Sequence, residues 1–193
     1  MDPEWQNTHF EKMMYDNALL AELYRDAAQR LGDPSYARIA RDTLDFLDRR
    51  FAEPGRALVA SFSAVDDEDV EGGYYLWSED ILSETLNPAQ RALLGVVWGM
   101  QGVPPFDAGY LPIFQDNVPA LAEQMEISPD VLMARLQPAR ARLLAVRAQR
   151  GLPVDHKQLA GWNGMALLAF ARAAGSFGEP RYRARARAIR DHL

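Results

Sequence analysis

Three segments of this chain place carboxylate, imidazole, amine and aromatic side chains close together in sequence. They run over residues 9–17, 66–77 and 155–164. Carbohydrate chemistry uses carboxylates beside aromatic rings, because one acid protonates a leaving oxygen while a second group activates water or removes a ring proton. The aromatic faces pack against the C–H face of the sugar. The three segments therefore indicate acid/base chemistry on a carbohydrate.

The candidate catalytic residues are two carboxylates and two imidazoles. Asp66 and Asp155 are the first candidates for acid/base work, and His9 or His156 is the alternative partner. Histidine suits this role because imidazole exchanges protons near neutral pH. The candidate substrate-binding residues are Lys12, Tyr15, Asp16, Trp77, Lys157, Trp162 and Asn163.

A structural interpretation competes with the binding interpretation. In the binding interpretation, Tyr15 and Trp162 are stacking platforms, and Lys12 and Lys157 orient carboxylates or substrate hydroxyls. In the structural one, Asp16 and the two lysines form an ion-pair network that joins neighbouring helical hairpins. Acidic runs such as residues 67–69 are likewise typical of a solvated turn.

Several other chemistries lack the residues they need. The chain has no cysteine, which excludes disulfides and thiolate chemistry within it. His9 and His156 are far apart in sequence and lack a third ligand at suitable spacing, so no metal site is predicted. No phosphate-binding glycine loop, nucleophile elbow or zincin helix is present. We therefore predict neither a metal nor a cofactor.

Composition limits the partners and the location. With 21 basic against 27 acidic residues, the net charge of −6 disfavours nucleic acid or an anionic membrane as the main partner. No apolar run approaches the roughly 18 residues of a membrane span. Residues 1–4 carry acid where a signal peptide carries base. These features predict a cytoplasmic protein.

The elements that position the three segments include an internal repeat. Residues 17–47 and 163–193 align without a gap, and identical pairs include Asn17/Asn163, Gly32/Gly178, Pro34/Pro180 and Tyr36/Tyr182. Each copy reads as helix, Gly-acid-Pro turn and helix, because glycine suits the residue after a helix and proline suits the first turn of the next. A repeated αα-hairpin indicates a helical array.

The elements outside the repeat are less regular. The first helix is predicted to open at Thr8, with Glu11 at capping-box spacing, and the second helix of that copy to end at residues 53–55. Residues 58–63 and 73–77 read as a β-hairpin around an acidic turn. Further helices are expected to start at residues 78, 87 and 128, the last one kinked or divided at Pro138. Residues 102–119 read as a long loop.

The repeat predicts where the three segments meet. It makes His9 equivalent to Asp155, so the first and third segments lie at the entrances of equivalent helices. The acidic turn of the β-hairpin can fold back over the same end. We expect one shared cavity mouth to be lined by His9, Asp16, Asp66, Asp155, Lys157 and Trp162.

The same segments carry a resemblance to a known family. Residues 9–18 resemble the His-Phe-Glu-Lys-Met-Leu-Tyr-Asp-Asn-Ala signature of the YyaL-type, thioredoxin-domain-containing proteins, the family of spermatogenesis-associated protein 20. Lys157, Leu159 and residues 162–164 match its Asp-Asp-Lys-x-Leu-x-x-Trp-Asn-Gly motif. Asp66, residues 71–72, Tyr75 and Trp77 match its acidic turn and the aromatic segment that follows. The resemblance covers most of the chain in the right order.

The resemblance implies a fold and a class of activity. It implies a thioredoxin-like domain, absent from this chain, followed by an (α/α)6 toroid of the six-hairpin glycosidase type, similar to the N-acylglucosamine 2-epimerase superfamily. Two positions depart from the family pattern. Ala64 replaces the first carboxylate of an Asp-Ala-Asp turn, and His156 replaces the second of an Asp-Asp-Lys motif. The first change weakens a two-carboxylate mechanism, whereas His156 could retain an acid/base group.

We therefore predict an all-α fold in which αα-hairpin repeats form part of an (α/α)6 toroid, with a small β-hairpin inserted over residues 57–77. Residues 1–193 would form one partial toroid domain. An incomplete toroid leaves apolar helix faces uncovered, so self-association is expected. The predicted function is a carbohydrate-active domain, glycosidase-like or sugar-epimerase-like and inactive as this piece alone. The alternative is a non-catalytic binding or scaffold module with an inherited sugar-enzyme fold.

Overall fold

The computed structural model describes residues 8–53 and 57–193, which form two compact units. The hairpin unit comprises Glu11–Ser63 and Val154–Leu193, and the loop-rich unit comprises residues 8–10 and Ala64–Pro153. The elements in chain order are β1 Lys12–Met13, α1 Met14–Leu31, α2 Pro34–Arg50, β2 Ser61–Phe62, α3 Glu79–Thr85, α4 Pro88–Trp98, α5 Val118–Gln124, α6 Pro129–Arg147, β3 Val154–Asp155, α7 Ala160–Phe177 and α8 Pro180–His192.

The repeated hairpins are present as predicted. α1 and α7 each end at a glycine in the left-handed conformation, Gly32 and Gly178, both with φ of 69°. One acidic residue separates each glycine from the proline that begins α2 or α8. In the first copy that residue, Asp33, caps α2 by accepting a hydrogen bond from Ser35 N. The all-α class is therefore confirmed, since helices account for most of the described residues and each strand has only two residues.

Packing within the hairpin unit brings the two copies together. α1 packs on α7, and each also packs on the second helix of its own hairpin. Small buried side chains allow this close approach, among them Ala18, Ala21, Ala166, Ala169 and Ala173. The rings of Phe170 and Tyr182 lie 5.9 Å apart between α7 and α8. The larger buried side chains fix how the helices of the second hairpin pack.

The start of α1 differs from the prediction. α1 begins at Met14 rather than near Thr8, and its N-cap residue, Met13, makes no side-chain cap. Lys12 and Met13 instead form β1 and pair with β2. Sheet pairing satisfies the backbone groups of this segment, and Asn17 Nδ2 donates to Met13 O at 2.7 Å. These bonds replace the predicted capping box.

The small β element also has different partners from those predicted. β1, β2 and β3 form an antiparallel sheet in which β2 is central, so β2 pairs with Lys12–Met13 and Val154–Asp155 and not with residues 73–77. The acidic turn closes locally, because Gly72 N donates to Ala64 O. The chain after Gly72 then coils, with Leu76 N donating back to Gly72 O at 2.9 Å. A coiled segment cannot supply the extended partner strand of the predicted hairpin.

The loop-rich unit has its own core, formed by α3–α6 and the segments between them. The predicted helix starts are confirmed by side-chain caps at Ser78, Asn87 and Ser128, and Asn87 forms a full capping box with Gln90. α6 runs through Pro138 without division, whereas α5 overlaps the end of the predicted loop and was not expected. The buried core includes Trp77, Leu94, Val97, Leu132, Leu136 and Leu143.

Three further predictions concern the end of α2, residues 1–4 and membrane-spanning helices. α2 ends at Arg50 with Phe51 as its C-cap, and Pro54 and Gly55, where the end was predicted, lie outside the described residues, as do residues 1–4. Among the described residues, no helix has the length and apolar character needed to cross a bilayer.

Candidate functional site

Most of the candidate residues lie at one end of the hairpin unit, where the sheet adjoins α1 and α7. β1 leads directly into α1, and β3 leads through a short connection into α7. Met14 N donates to Ala60 O, and Ala60 N donates to Asp155 O, which ties both helix entrances to the central strand region. We call this group the helix-entrance cluster: Tyr15, Asp16, Glu53, Asp155, His156, Lys157 and Trp162.

An aromatic pair joins the two helix entrances. The ring centroids of Tyr15, in the first turn of α1, and Trp162, in the first turn of α7, lie 4.7 Å apart with the planes tilted by 57°. Both side chains are half-buried. One part of each ring is therefore used in packing, and the exposed part can contact the apolar face of a ligand.

Asp155 is held as a carboxylate. Lys157 N donates to Asp155 Oδ1, and Lys157 Nζ donates to Oδ2, both at 3.1 Å. These hydrogen bonds, the backbone one first, lower the pKa of Asp155 below its ordinary value. A lowered pKa suits a group that accepts hydrogen bonds or stabilises positive charge, and makes Asp155 a poor proton donor at neutral pH.

His156 pairs with a carboxylate that the sequence did not single out. His156 Nδ1 lies 2.7 Å from Glu53 Oε1. Gln158 Nε2 donates to Ala57 O at 3.2 Å and lies 3.5 Å from Glu53 Oε2. In the tautomer that carries the proton on Nδ1, the ring donates to Glu53 and Nε2 can accept a proton. Glu53 lies in a different segment of the chain, so no local spacing could have revealed it.

Lys12 lies on the face of the sheet opposite to that of Asp155. The register places Lys12 opposite Phe62, whereas Asp155 lies opposite Ser61, so their side chains point to opposite faces. Burial lowers the pKa of Lys12 from 10.5 to about 8. The lysine is therefore separated from the Asp155–Lys157 pair, and its amine loses its proton more readily than an exposed one.

Two of the predicted substrate contacts have structural roles instead. Asn163 is 0% exposed, and its side chain accepts from Leu58 N at 2.8 Å and donates to Leu58 O at 3.0 Å. Trp77 is 2% exposed and its ring lies under the Arg150 guanidinium at 4.3 Å. A buried side chain with these contacts has no free face for a ligand, so we exclude both from the candidate binding surface.

The remaining candidates lie in the loop-rich unit. Asp66 Oδ1 accepts hydrogen bonds from Glu68 N and Val70 N, both at 3.0 Å, which closes the acidic turn. His9 is exposed in the same unit. The proposed shared cavity mouth therefore combines residues from both units, and it stays a prediction.

A cavity of about 480 Å³ adjoins the acidic turn and is lined in part by Asp66, Asp67, Glu68, Ser78 and Arg150. Arg150 Nη1 donates to the carbonyls of Gly73 and Leu76 at 2.9 and 2.7 Å, which holds the coiled segment in place. Burial is the largest effect on the pKa of Arg150 and lowers it. Arg150 Nη2 is buried without a hydrogen-bond partner among the described residues. The guanidinium therefore holds the turn through Nη1.

The described residues contain no group of three or more metal-ligating side chains. The class that the fold defines is thus an all-α protein of repeated helical hairpins, with a small antiparallel sheet at the hairpin entrances.

This chain is similar in sequence to known proteins. No protein-family model matches the chain. It is 28% identical to human spermatogenesis-associated protein 20 over 209 residues, covering 93% of this chain and 26% of the human protein. The mouse and rat proteins of the same name are each 27% identical over 206 residues, with 92% of this chain and 26% of theirs covered. The predicted resemblance to this family is confirmed, and the chain spans about a quarter of the length of these relatives.

Proposed function

We propose that the helix-entrance cluster is a carbohydrate-binding surface with acid/base groups. The observation that carries the proposal is the half-exposed Tyr15–Trp162 pair beside two ordered acid–base pairs on one end of the same unit. The aromatic pair would contact the C–H face of a sugar, and the polar pairs would bind its hydroxyl groups. Human spermatogenesis-associated protein 20 has a name that states no substrate, so the proposal rests on the site alone.

His156 is the proposed base within this surface. Glu53 holds Nδ1, which leaves Nε2 to remove a proton from water, as in a hydrolase-like step, or from a sugar carbon, as in an epimerase-like step. The ionised Asp155 would accept a substrate hydroxyl or stabilise developing positive charge. Asp66 and His9, in the loop-rich unit, stay sequence-based candidates for acid/base work. These roles give the full protein, and not this chain alone, the proposed activity.

A non-catalytic binding module is the second candidate. It is favoured by the pairing of Asp155 with Lys157, because each charge is already neutralised by the other. It is also favoured by the structural roles of Asn163 and Trp77, which leave fewer groups for chemistry. In this case the same surface binds a ligand and transforms nothing.

Calorimetric titration with a panel of mono- and disaccharides tests the proposal. A sugar that binds the wild-type chain and loses affinity with Trp162→Ala supports the carbohydrate surface. Trp98→Ala is the matched control, since Trp98 is a half-buried tryptophan of the loop-rich unit that packs on Phe114. Absence of heat with every sugar, or equal loss in both variants, contradicts the proposal.

Turnover separates the two candidates. A bound sugar that the full-length protein hydrolyses or epimerises, with a rate that falls in His156→Ala, supports the enzyme. Binding of the same sugar without product supports the binding module. We further propose that the hairpins belong to an (α/α)6 toroid and that the full protein, with a thioredoxin-like domain, is cytoplasmic; a structure of the full-length protein and fractionation of cells test these two points.

A further inference from the structure

One cavity of the loop-rich unit, of about 230 Å³, has aromatic walls. Trp98, the last residue of α4, is half-buried, and Phe114 is 44% exposed. Leu144 of α6 is 41% exposed at the same cavity. Apolar side chains that line a concave site and stay partly exposed suit the apolar part of a ligand. We call this site the aromatic cavity, which is lined in part by Trp98, Pro112, Phe114, Arg140, Leu144 and Arg147.

Backbone hydrogen bonds hold the two aromatic residues of the cavity together. Gln115 N donates to Val97 O at 3.1 Å, and the neighbouring Ile113 N donates to the end of α4 as well, at 3.5 Å. The ring centroids of Trp98 and Phe114 lie 6.1 Å apart, with the planes at 89°. Rings that meet edge to face do not cover each other as stacked rings do, so a flat group can pack beside them. The walls are thus in place before a ligand arrives.

Two arginines of α6 give the aromatic cavity a positive charge. Arg140 and Arg147 are seven residues apart, close to two helical turns, so they share the face of α6 that carries Leu144. Neither arginine makes an ion pair with a carboxylate among the described residues. The Arg147 guanidinium lies 5.7 Å from the centre of the Tyr74 ring. The cavity therefore combines apolar walls with two cations that have no anionic partner in the described part of the chain.

Helix electrostatics and packing do not account for both arginines. The partial negative charge at the end of a helix favours a cation in its last turn, which suits Arg147 but has faded at Arg140, two turns earlier. Arg142, on the opposite side of α6, shows what a structural arginine does here. It donates to Gln90 Oε1 at 3.3 Å and to Thr85 O at 3.5 Å, which joins α6 to the helices before it. Arg140 makes no comparable contact among the described residues, so a ligand is the better account of its place beside the cavity.

We propose that the aromatic cavity binds a small aromatic anion, a molecule with one or two flat rings and a carboxylate or phosphate group. Trp98, Phe114 and Leu144 contact the rings, and the two arginines bind the anionic group. A guanidinium suits this role because its paired N–H donors match two oxygens of a carboxylate or phosphate. The volume of about 230 Å³ is below the roughly 300–1,000 Å³ of sites for drug-sized molecules, which limits the ligand to this size. A nucleic acid strand needs a continuous basic groove, and the net charge of −6 disfavours one.

NMR titration of this chain with 2-naphthoate and with phenyl phosphate tests the proposal. At least one of the two is expected to bind saturably and to shift the amide signals of residues 98, 112–115 and 140–147, and the tighter of them identifies the anionic group. The neutral 2-naphthamide keeps the rings and removes the charge, so it should bind at least about tenfold more weakly than 2-naphthoate. No saturable shift with either anion, shifts confined to other residues, or equal affinity for the amide and the carboxylate overturns the proposal.

Variants of the lining separate specific binding from a general attraction of anions to α6. Arg140→Met and Phe114→Ala are each expected to weaken binding of the tighter anion by about threefold to tenfold. Both side chains are exposed, so neither change should disturb the fold. Arg135→Met is the matched control, because it removes the same charge from an exposed position of α6 outside the aromatic cavity. Equal weakening in Arg135→Met and Arg140→Met, or unchanged affinity in Phe114→Ala, overturns the proposal.

The full-length protein supplies the final comparison. The chain spans about a quarter of the length of its relatives, so the same titration is repeated on the full-length protein and on its Arg140→Met variant. Binding of the same anion, with the same loss in the variant, supports a ligand site. Binding to this chain but not to the full-length protein shows that another part of the protein fills the cavity, and this result overturns the proposal.

Discussion

His156 Nδ1 lies 2.7 Å from Glu53 Oε1, which joins the segment after β3 to the segment after α2. The hydrogen bond orients an exposed imidazole at the edge of the helix-entrance cluster. It links positions 103 residues apart in sequence, and it gives the proposed site a base whose orientation is set by a carboxylate.

Glu53→Ala is expected to change the tautomer of His156. With the carboxylate gone, the proton is no longer drawn to Nδ1, and the population of the Nδ1–H tautomer should fall. Nitrogen chemical shifts of the His156 ring, measured by NMR, report this population. The exposed Glu84 in α3 supplies the control variant, Glu84→Ala. An unchanged tautomer in Glu53→Ala would remove Glu53 from the proposed site.

Lys12 should make the free energy of unfolding rise as the pH increases from weakly to strongly alkaline. Its pKa is about 8 in the fold against an ordinary 10.5, so in that interval the unfolded chain binds more protons than the folded one. The free energy of unfolding therefore increases with pH across this interval, by about 1–2 kcal/mol after allowance for partial solvent screening of the amine. The rise should be missing in Lys12→Met.

Urea unfolding at several pH values measures that difference, with each variant compared with the wild type at the same pH. Lys157→Met is the matched control, because the Lys157 side chain pairs with Asp155 and is exposed to solvent. A wild-type curve parallel to that of Lys12→Met across the interval would show that Lys12 is not buried as the structure has it.

Asn163→Ala should destabilise the hairpin unit strongly. The change leaves the buried N–H and C=O of Leu58 without their side-chain partner, which costs about 2–4 kcal/mol for two buried groups. Asn17 is the repeat equivalent and bonds only to Met13 O among the hydrogen bonds described for its side chain, so Asn17→Ala should cost about 1 kcal/mol. Urea denaturation of the two variants gives the comparison, and equal losses would contradict the structural role of Asn163.

Gly73→Ala should disturb the acidic turn. A methyl group on Gly73 would overlap the Oδ2 atom of Asp66, so the carboxylate would have to leave the position from which it binds Glu68 N and Val70 N. We expect a loss of about 1–3 kcal/mol in the unfolding of the loop-rich unit. Gly164→Ala is the control, because an added methyl meets open space on α7 and should stabilise that helix slightly. Unchanged stability and unchanged amide shifts of residues 68 and 70 in Gly73→Ala would contradict this account.

Local patterns determined the helical hairpins from the sequence alone. Gly32 and Gly178 mark helix ends, the prolines at 34 and 180 mark helix starts, and Ser78, Asn87 and Ser128 cap helices. Each signal acts within one or two turns of backbone, so it can be read without knowing the rest of the fold. The repeat added the correspondence between α1 and α7 and thus placed Tyr15 and Trp162 at equivalent helix entrances.

Only the tertiary structure decided which short segments pair and which polar groups meet. Lys12–Met13 form a strand because Ser61–Phe62 supply backbone hydrogen-bond partners for them. This strand pairing stabilises the segment more than a helix cap at Thr8 would. Glu53 reached His156, and Asn163 reached Leu58, across long stretches of chain. Contacts of this kind depend on how helices pack, and the sequence near each residue carries no record of its partner.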